Sequence, residues 1–258
     1  MARVFVTGSA DGLGLLAARS LLESGHEVVA HARNPTRGEE TRKRLRAAKD
    51  VVVGDLASLA QTRAVAEQAN RLGPFDAVIH NAGVGYKEPR IQTEDGLPLV
   101  FEVNVLSFYV LTALVERPKR LVYMSSGMHR GADASLEDVE WTKRRWRGAA
   151  AYAESKLCDV LLAFAVARRW PTVFSNAVDP GWVPTRMGGP SAPDALEDGY
   201  RTQAWLATSD DPAALVSGNY FYHLRPKEPD LAVYDVGRQE KLLELCRRFS
   251  GVALDAGS

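Results

Sequence analysis

Long apolar runs are missing from this sequence of 258 residues, and so is an excess of either charge. No stretch approaches the roughly 18 apolar residues of a bilayer-spanning helix, so no membrane span is expected. Lys and Arg together number 32, as do Asp and Glu, and no global field draws the chain to nucleic acid or to an anionic surface. Cysteine is scarce. Cys158 and Cys246 lie far apart without neighbours at metal-ligand spacing, which argues against a disulfide scaffold or a metal site and reads as reduced thiols. Linkers rich in Pro, Gly or Ser, blocks of like charge and internal repeats are also lacking, so one domain over 1–258 is expected. The first expected strand starts at residue 3, which leaves no room for a signal peptide, and the expected compartment is the cytoplasm.

What is present begins at the start of the chain. Val4, Phe5 and Val6 form a short apolar run, and Leu15, Leu16, Ala17, Leu21 and Leu22 then recur at helical spacing. Between them Gly8, Gly12 and Gly14 let the backbone turn tightly and let a phosphate approach bare N–H groups. The helix that follows aims its positive end at the same spot. Strand, glycine turn and helix opening predict a pyrophosphate site made of Gly8, Ser9, Asp11, Gly12, Leu13 and Gly14, with a plain turn as the alternative.

Strand and helix patterns alternate from there on. Strands are expected at 27–32, 51–53, 76–80, 120–124, 173–178 and 218–222, and helices at 36–49, 58–72, 93–115, 149–169 and 236–249, with Pro98 delaying or bending the third of these. The pattern predicts an α/β fold: a Rossmann-type, doubly wound parallel sheet of about seven strands with helices on both faces. Ligands of such sheets sit beyond the carboxyl ends of the strands.

The end of the second strand bears on the cofactor. NAD-binding chains place an acid there for the ribose hydroxyls, whereas this chain has Ala32 and then Arg33. A guanidinium can grip a 2′-phosphate that an acid would repel, so NADP(H) is favoured over NAD(H). Asn34, Thr36 and Arg37 are further donors, while Asp11 puts an opposing charge in the glycine loop. The bland alternative is a solvated Arg33.

Late in the chain, Tyr152 and Lys156 stand at i and i+4 on one helix face. A free phenol ionises near pH 10, and a nearby ammonium brings it toward the working range of an acid/base catalyst. With Thr7-Gly8-x-x-x-Gly12-x-Gly14 and a strand ending in Ser125-Ser126, the pair resembles the short-chain dehydrogenase/reductase family. The resemblance implies Ser126 as the residue that binds the substrate oxygen, with Ser125 left as the alternative, and Asn104 as part of a proton relay to Lys156. It implies that Asp55 and Leu56 meet the adenine. Asn81, Ala82 and Gly83 would pack against the cofactor, with His80 in place of the family's first Asn. Pro180, Gly181, Val183 and Thr185 would hold the nicotinamide, and Lys156 its ribose. The long segment after Ser126 and the tail from Gly218 to Phe221 are most similar to the retinol-dehydrogenase-like and WW-domain-containing oxidoreductase branch.

The implied activity is NADP(H)-dependent interconversion of a carbonyl and an alcohol, with Tyr152 as general acid/base. A catalytically silent NADP(H)-sensing regulatory protein is the rival. The expected partner is a small, bulky hydrophobic carbonyl or alcohol, under lid segments at 127–149 and 186–200 that carry Trp141, Trp146 and Met187, with Trp182 just before the second. His129 and the basic run at 143–147 are expected to be loop structure and solvated surface. Many relatives form homo-oligomers through the helices at 93–115 and 149–169, which leaves a homo-oligomer open here.

Overall fold

Successive strand residues feed two separate cores. On β1 (Arg3–Val6), Phe5 enters one apolar cluster while Val4 and Val6 enter the other. On β2 (Glu27–Ala32), Val29 opposes Val28 and Ala30, and on β5 (Arg120–Met124), Tyr123 opposes Val122 and Met124. Both sheet faces are therefore covered, which is why these strands read as unbroken apolar runs. The computed structural model describes residues 1–87 and 89–255.

With β3 (Asp50–Val53), β4 (Ala77–His80), β6 (Phe174–Asp179), β7 (Asn219–Tyr222) and β8 (Arg225–Pro226), the sheet runs in the order β3-β2-β1-β4-β5-β6-β7-β8. All pairs are parallel except β7 with β8. The eighth strand exceeds the expected number. It is two residues long, too short to leave a periodic signal, and follows a turn in which His223 and Leu224 have φ of 46° and 66°. The strand order reverses at β1, which has β2 on one side and β4 on the other. A crevice for a ligand therefore lies beyond the carboxyl ends of β1 and β4.

One sheet face carries α1 (Gly12–Glu23) packed on α7 (Leu196–Thr208), with α2 (Pro35–Arg44) at its edge. The helix expected over 36–49 stops at Arg44 because Leu45 turns into the core, and the Lys49 N–H then joins the Val28 carbonyl. The other face carries α3 (Leu59–Leu72) on α5 (Ser107–Leu114), and α6 (Gly148–Arg169) on α8 (Val236–Ser250). The helix expected from 93 starts only after Pro98, as the short turn α4 (Leu99–Phe101), and passes through a π turn at Glu102–Leu106 before α5. Pro98 offers no N–H of its own to a helical ladder, so the helix forms behind it. In α6 every residue from Ser155 to Val166 is buried, so the polar Lys156 and Asp159 lie inside the protein with the apolar ones. Among the described residues no helix is long and apolar enough to cross a membrane.

Candidate active site

The glycine loop between β1 and α1 is shaped by contacts that leave no room for side chains. Gly8 has φ of 63°, and a Cβ there would lie 2.7 Å from the Ala82 Cα. A Cβ on Gly14 would lie 2.3 Å from the Asn81 Nδ2 and 2.5 Å from the Gly8 carbonyl oxygen. Around Gly12, by contrast, a Cβ would meet open space. The Asn81 amide donates to the carbonyls of Thr7 (3.0 Å) and Gly8 (3.3 Å), and the N–H groups of Asn81 and Ala82 donate to the Thr7 hydroxyl (2.9 and 3.0 Å). Asn81 and Ala82 thus brace the loop from behind.

His31, which the sequence reading passed over, fixes the loop from below. Its Nδ1 accepts from the Gly8 N–H at 3.0 Å, and its Nε2 pairs with the Gly54 carbonyl at 2.9 Å. Burial holds this imidazole below its ordinary value, which keeps Nδ1 available as an acceptor. Ser9 is fully buried and donates to the Val6 carbonyl, so its hydroxyl faces inward. Asp11 caps α1 by accepting from the Gly12 N–H at 2.9 Å. Helix geometry then leaves the N–H groups of Leu13 and Gly14 as donors for an anion at this end.

Asp11 does not stand alone as the sequence implied. Arg37 and Arg44 of α2 approach its carboxylate at 3.5 and 3.7 Å, and both donate to the Ala10 carbonyl. Arg33 is exposed, and neither a hydrogen bond nor an ion pair holds its guanidinium among the described residues. The side chain of Asn34 caps α2 by accepting from the Arg37 N–H, while Ala32 is buried. At the next strand end Asp55 accepts from the Ala57 N–H, and Leu56 is buried.

The other half of the crevice is built on β5 and α6. Ser125 donates to the Lys156 carbonyl at 2.7 Å, so its hydroxyl is committed to the helix backbone. The Ser126 hydroxyl has no such commitment to the α6 backbone, and it acts to lower the Tyr152 phenol. The same hydroxyl accepts from the Met128 N–H. The Tyr152 hydroxyl donates to the Met187 sulfur at 3.8 Å, and the Tyr86 ring stands edge-on at 5.9 Å. Burial pushes the Tyr152 phenol up from its ordinary value, against the downward pull of Lys156 and of the Ser126 hydrogen bond.

Lys156 Nζ lies 5.7 Å from the Tyr152 ring centre and donates at 2.8 Å both to the Met124 carbonyl and to Asp159. Burial acts to lower the ammonium, but Asp159 and Tyr152 together more than offset it and the net direction is up. A Cβ on Gly83 would come within 3.9 Å of that Nζ and 3.4 Å of the Asn104 Oδ1. Asn104 sits in the π turn, accepts from the Val84 N–H at 2.8 Å and donates to Ser155 at 3.0 Å. It therefore stands beside Lys156 without a hydrogen bond to it.

After β6, the Gly181 N–H donates to Asp179, with φ of 81° at Gly181, next to Pro180. Val183 is buried, and Thr185 accepts from the Gly188 N–H. The expected lid residues divide. Met187 closes on Tyr152, whereas Trp141 is buried against Trp146 and the Arg144 guanidinium, beside a cavity that also touches Ser155 and Cys158 on α6. His80 and His129 are core residues: His80 pairs with Thr112 and burial holds it down to about 3, and His129 bonds the Asp230 N–H.

Comparison with known proteins agrees with this architecture. Residues 2–195 match the family model of short chain dehydrogenases. The chain belongs to that family. It is 44% identical to an uncharacterized oxidoreductase of Emericella nidulans, over all of both chains. A short-chain dehydrogenase of Gibberella zeae is 40% identical over 98% of this chain and 99% of its own. Human retinol dehydrogenase 14 is 30% identical over 96% of this chain and 86% of its own, in keeping with the retinol-dehydrogenase-like branch. Among solved structures, an uncharacterised protein from Mycobacterium paratuberculosis superposes with a TM-score of 0.85 at 26% identity, covering 99% of this chain and 95% of that one. A blue fluorescent protein from a metagenomic library, solved with NADPH, gives 0.69 at 22% over 85% and 95%, a likeness of fold.

Proposed function

We propose that this oxidoreductase interconverts a carbonyl and an alcohol with NADP(H), using Tyr152 as general acid/base. The observation that carries the reading is the buried Lys156 ammonium 5.7 Å from the Tyr152 ring centre, one helical turn along α6, with the Ser126 hydroxyl just past β5 acting on the same phenol. The chemistry that a bound nicotinamide supplies is hydride transfer. Tyr152 gives the proton to the nascent alkoxide in reduction and takes it back in oxidation. Ser126 orients the substrate oxygen, and Lys156 favours the phenolate. Asn104, held by the Val84 N–H in the π turn, is assigned to support the proton path to Lys156.

The residues at hand suit a dinucleotide. The cradle at Gly8 and Gly14 excludes any Cβ, and α1 offers unpaired N–H groups. Along the crevice, Asp55 and Leu56 are assigned to the adenine end, Asn81, Ala82 and Gly83 to the middle, and Pro180, Gly181, Val183 and Thr185 to the nicotinamide end. A 2′-phosphate would meet Arg33 beside the small Ala32, while the charge of Asp11 is offset by Arg37 and Arg44. The solved relative with NADPH is consistent with this preference. For the substrate, large apolar side chains stay exposed on the segments that follow β5 and β6: Met128 at 39%, Trp182 at 54% and Met187, which reaches Tyr152, at 37%. They suit a bulky hydrophobic carbonyl, with 186–200 as the covering segment.

The test is a panel of aldehydes, ketones and alcohols followed by nicotinamide absorbance with both cofactors. Turnover of bulky hydrophobic carbonyls with NADPH is expected. Tight NADPH binding with no turnover of any of them would instead favour a sensor.

A further inference from the structure

Asp159 lies at the centre of α6 with no solvent exposure, and its single hydrogen-bonding partner among the described residues is Lys156, at 2.8 Å through Oδ2. Its Oδ1 has no hydrogen-bond partner among the described residues. A carboxylate in such a place is costly, since an unpaired buried ion loses several kcal/mol of hydration. The same cost falls on Lys156, which is 4% exposed and whose other contacts are the Met124 carbonyl and the faces of the Phe108 and Tyr152 rings. A carbonyl and two rings are weak compensation for an ammonium out of water. A fully buried lysine without a counterion gives up its proton near or below neutrality.

We propose that Asp159 is a positioning residue for the acid/base pair: its carboxylate keeps Lys156 an ammonium and holds Nζ between the Met124 carbonyl and the Tyr152 ring. The idea rests on the reading of Tyr152 and Lys156 given above. It adds that the pair is really a triad, in which the acid three residues beyond the lysine supplies the charge balance.

The ionisable groups that face this carboxyl come from three elements. Lys156, Tyr152 and Cys158 share α6, Tyr123 comes from β5, and Cys246 from α8. Burial keeps Tyr123 and both thiols above their ordinary values, so they are neutral at neutral pH. His80, stacked on Tyr123, is neutral as well. Lys156 is thus the one cation in the group. The Asp159 carboxyl is itself pushed up to about 7 by burial, against the pull of Lys156, so the ion pair is complete only above neutrality.

The sign of the effect is fixed. Replacing the carboxylate removes the charge and the hydrogen bond with which Asp159 raises the lysine, and leaves burial, the largest influence, which lowers it, opposed by Tyr152 alone. The experiment is a pH titration of the lysine side-chain carbon next to Nζ, by NMR of the cofactor-free protein with labelled lysine, in the unmodified chain and in Asp159→Asn. In Asp159→Asn the Lys156 signal should titrate well below its midpoint in the unmodified chain, by more than about one unit. Carbonyl reduction by Asp159→Asn should be weak at alkaline pH and recover as the pH falls through that new midpoint, which a loss of packing alone would not produce. A Lys156 midpoint within about half a unit of the unmodified value would overturn the proposal.

Should Asp159→Asn fail to fold, the unmodified chain decides. Its assigned Asp159 carboxyl carbon and Lys156 signal should inflect together as the carboxyl ionises beside the ammonium, and a Lys156 signal that does not respond when the Asp159 carboxyl titrates would overturn the proposal. None of these signals depends on turnover. Failure of the proposed reaction and failure of the triad are therefore separate results.

Discussion

The two ends of the crevice are built on opposite principles. The β1–α1 end is made of backbone: glycines that exclude side chains, N–H groups at a helix start, and arginines in water. The β5–α6 end is made of side chains, and its charges are taken out of water and balanced against one another. A substitution at the first end should act through space, with little dependence on pH. At the second it should act through charge, with a strong dependence on pH.

Lys156→Ala should have the largest effect on folding. It strands the Asp159 carboxylate in a place with no exposure, which costs about 3–5 kcal/mol. A buried acid whose folded pKa is raised destabilises more as pH climbs, so the deficit should grow from acid toward alkaline pH, as read by urea denaturation. NADPH affinity should fall as well. A deficit that stays the same across pH would break the contrast between the two ends.

Gly14→Ala comes next. Its Cβ meets the Asn81 amide and the Gly8 carbonyl, and forcing them apart should cost about 1–3 kcal/mol of stability and weaken NADPH binding. This loss should be the same at acid and alkaline pH. Arg33→Ala should leave folding untouched and lower NADPH affinity about tenfold while sparing NADH. Equal binding of the two cofactors by the unmodified chain would place Arg33 in solvent.

The smallest effect sharpens the contrast at the seam between the ends, in the π turn. Glu102 is buried there beside Thr93, with Asp95 and Glu94 nearby, and burial pushes its carboxyl up to about 8 from 4.5. The neutral form is the one the fold accepts, so its contribution is full below pH 4.5 and is lost as pH rises through about 8. Glu102→Gln should therefore be the more stable protein at alkaline pH, by about 1 kcal/mol, and nearly equal to the unmodified chain in acid. Equal pH profiles would contradict this.

The same contrast governs what the sequence revealed. The glycine loop and the Tyr152–Lys156 spacing are local signals, because each lies within one turn or one helix face, and strand alternation with helices set the sheet. His31 escaped notice because a strand histidine looks the same whether it fills space or holds a loop 23 residues away. The pairing of Asp11 with Arg37 and Arg44 joins two βα units, and no spacing rule links them. Nothing in the sequence shows that Ser125, and not Ser126, bonds the α6 backbone, because that contact joins residues 31 apart. Asp159 reads in sequence as an ordinary helical partner of a lysine. Only the burial of both makes it a charge balance.

The most direct test of the account is Tyr152→Phe, assayed for carbonyl reduction with NADPH alongside cofactor binding. Removal of one hydroxyl deletes the proton donor and little contact area. Turnover should fall by about a hundredfold or more while NADPH affinity changes by less than about threefold. Turnover that survives with a loss under about tenfold would show that the proton comes from another group.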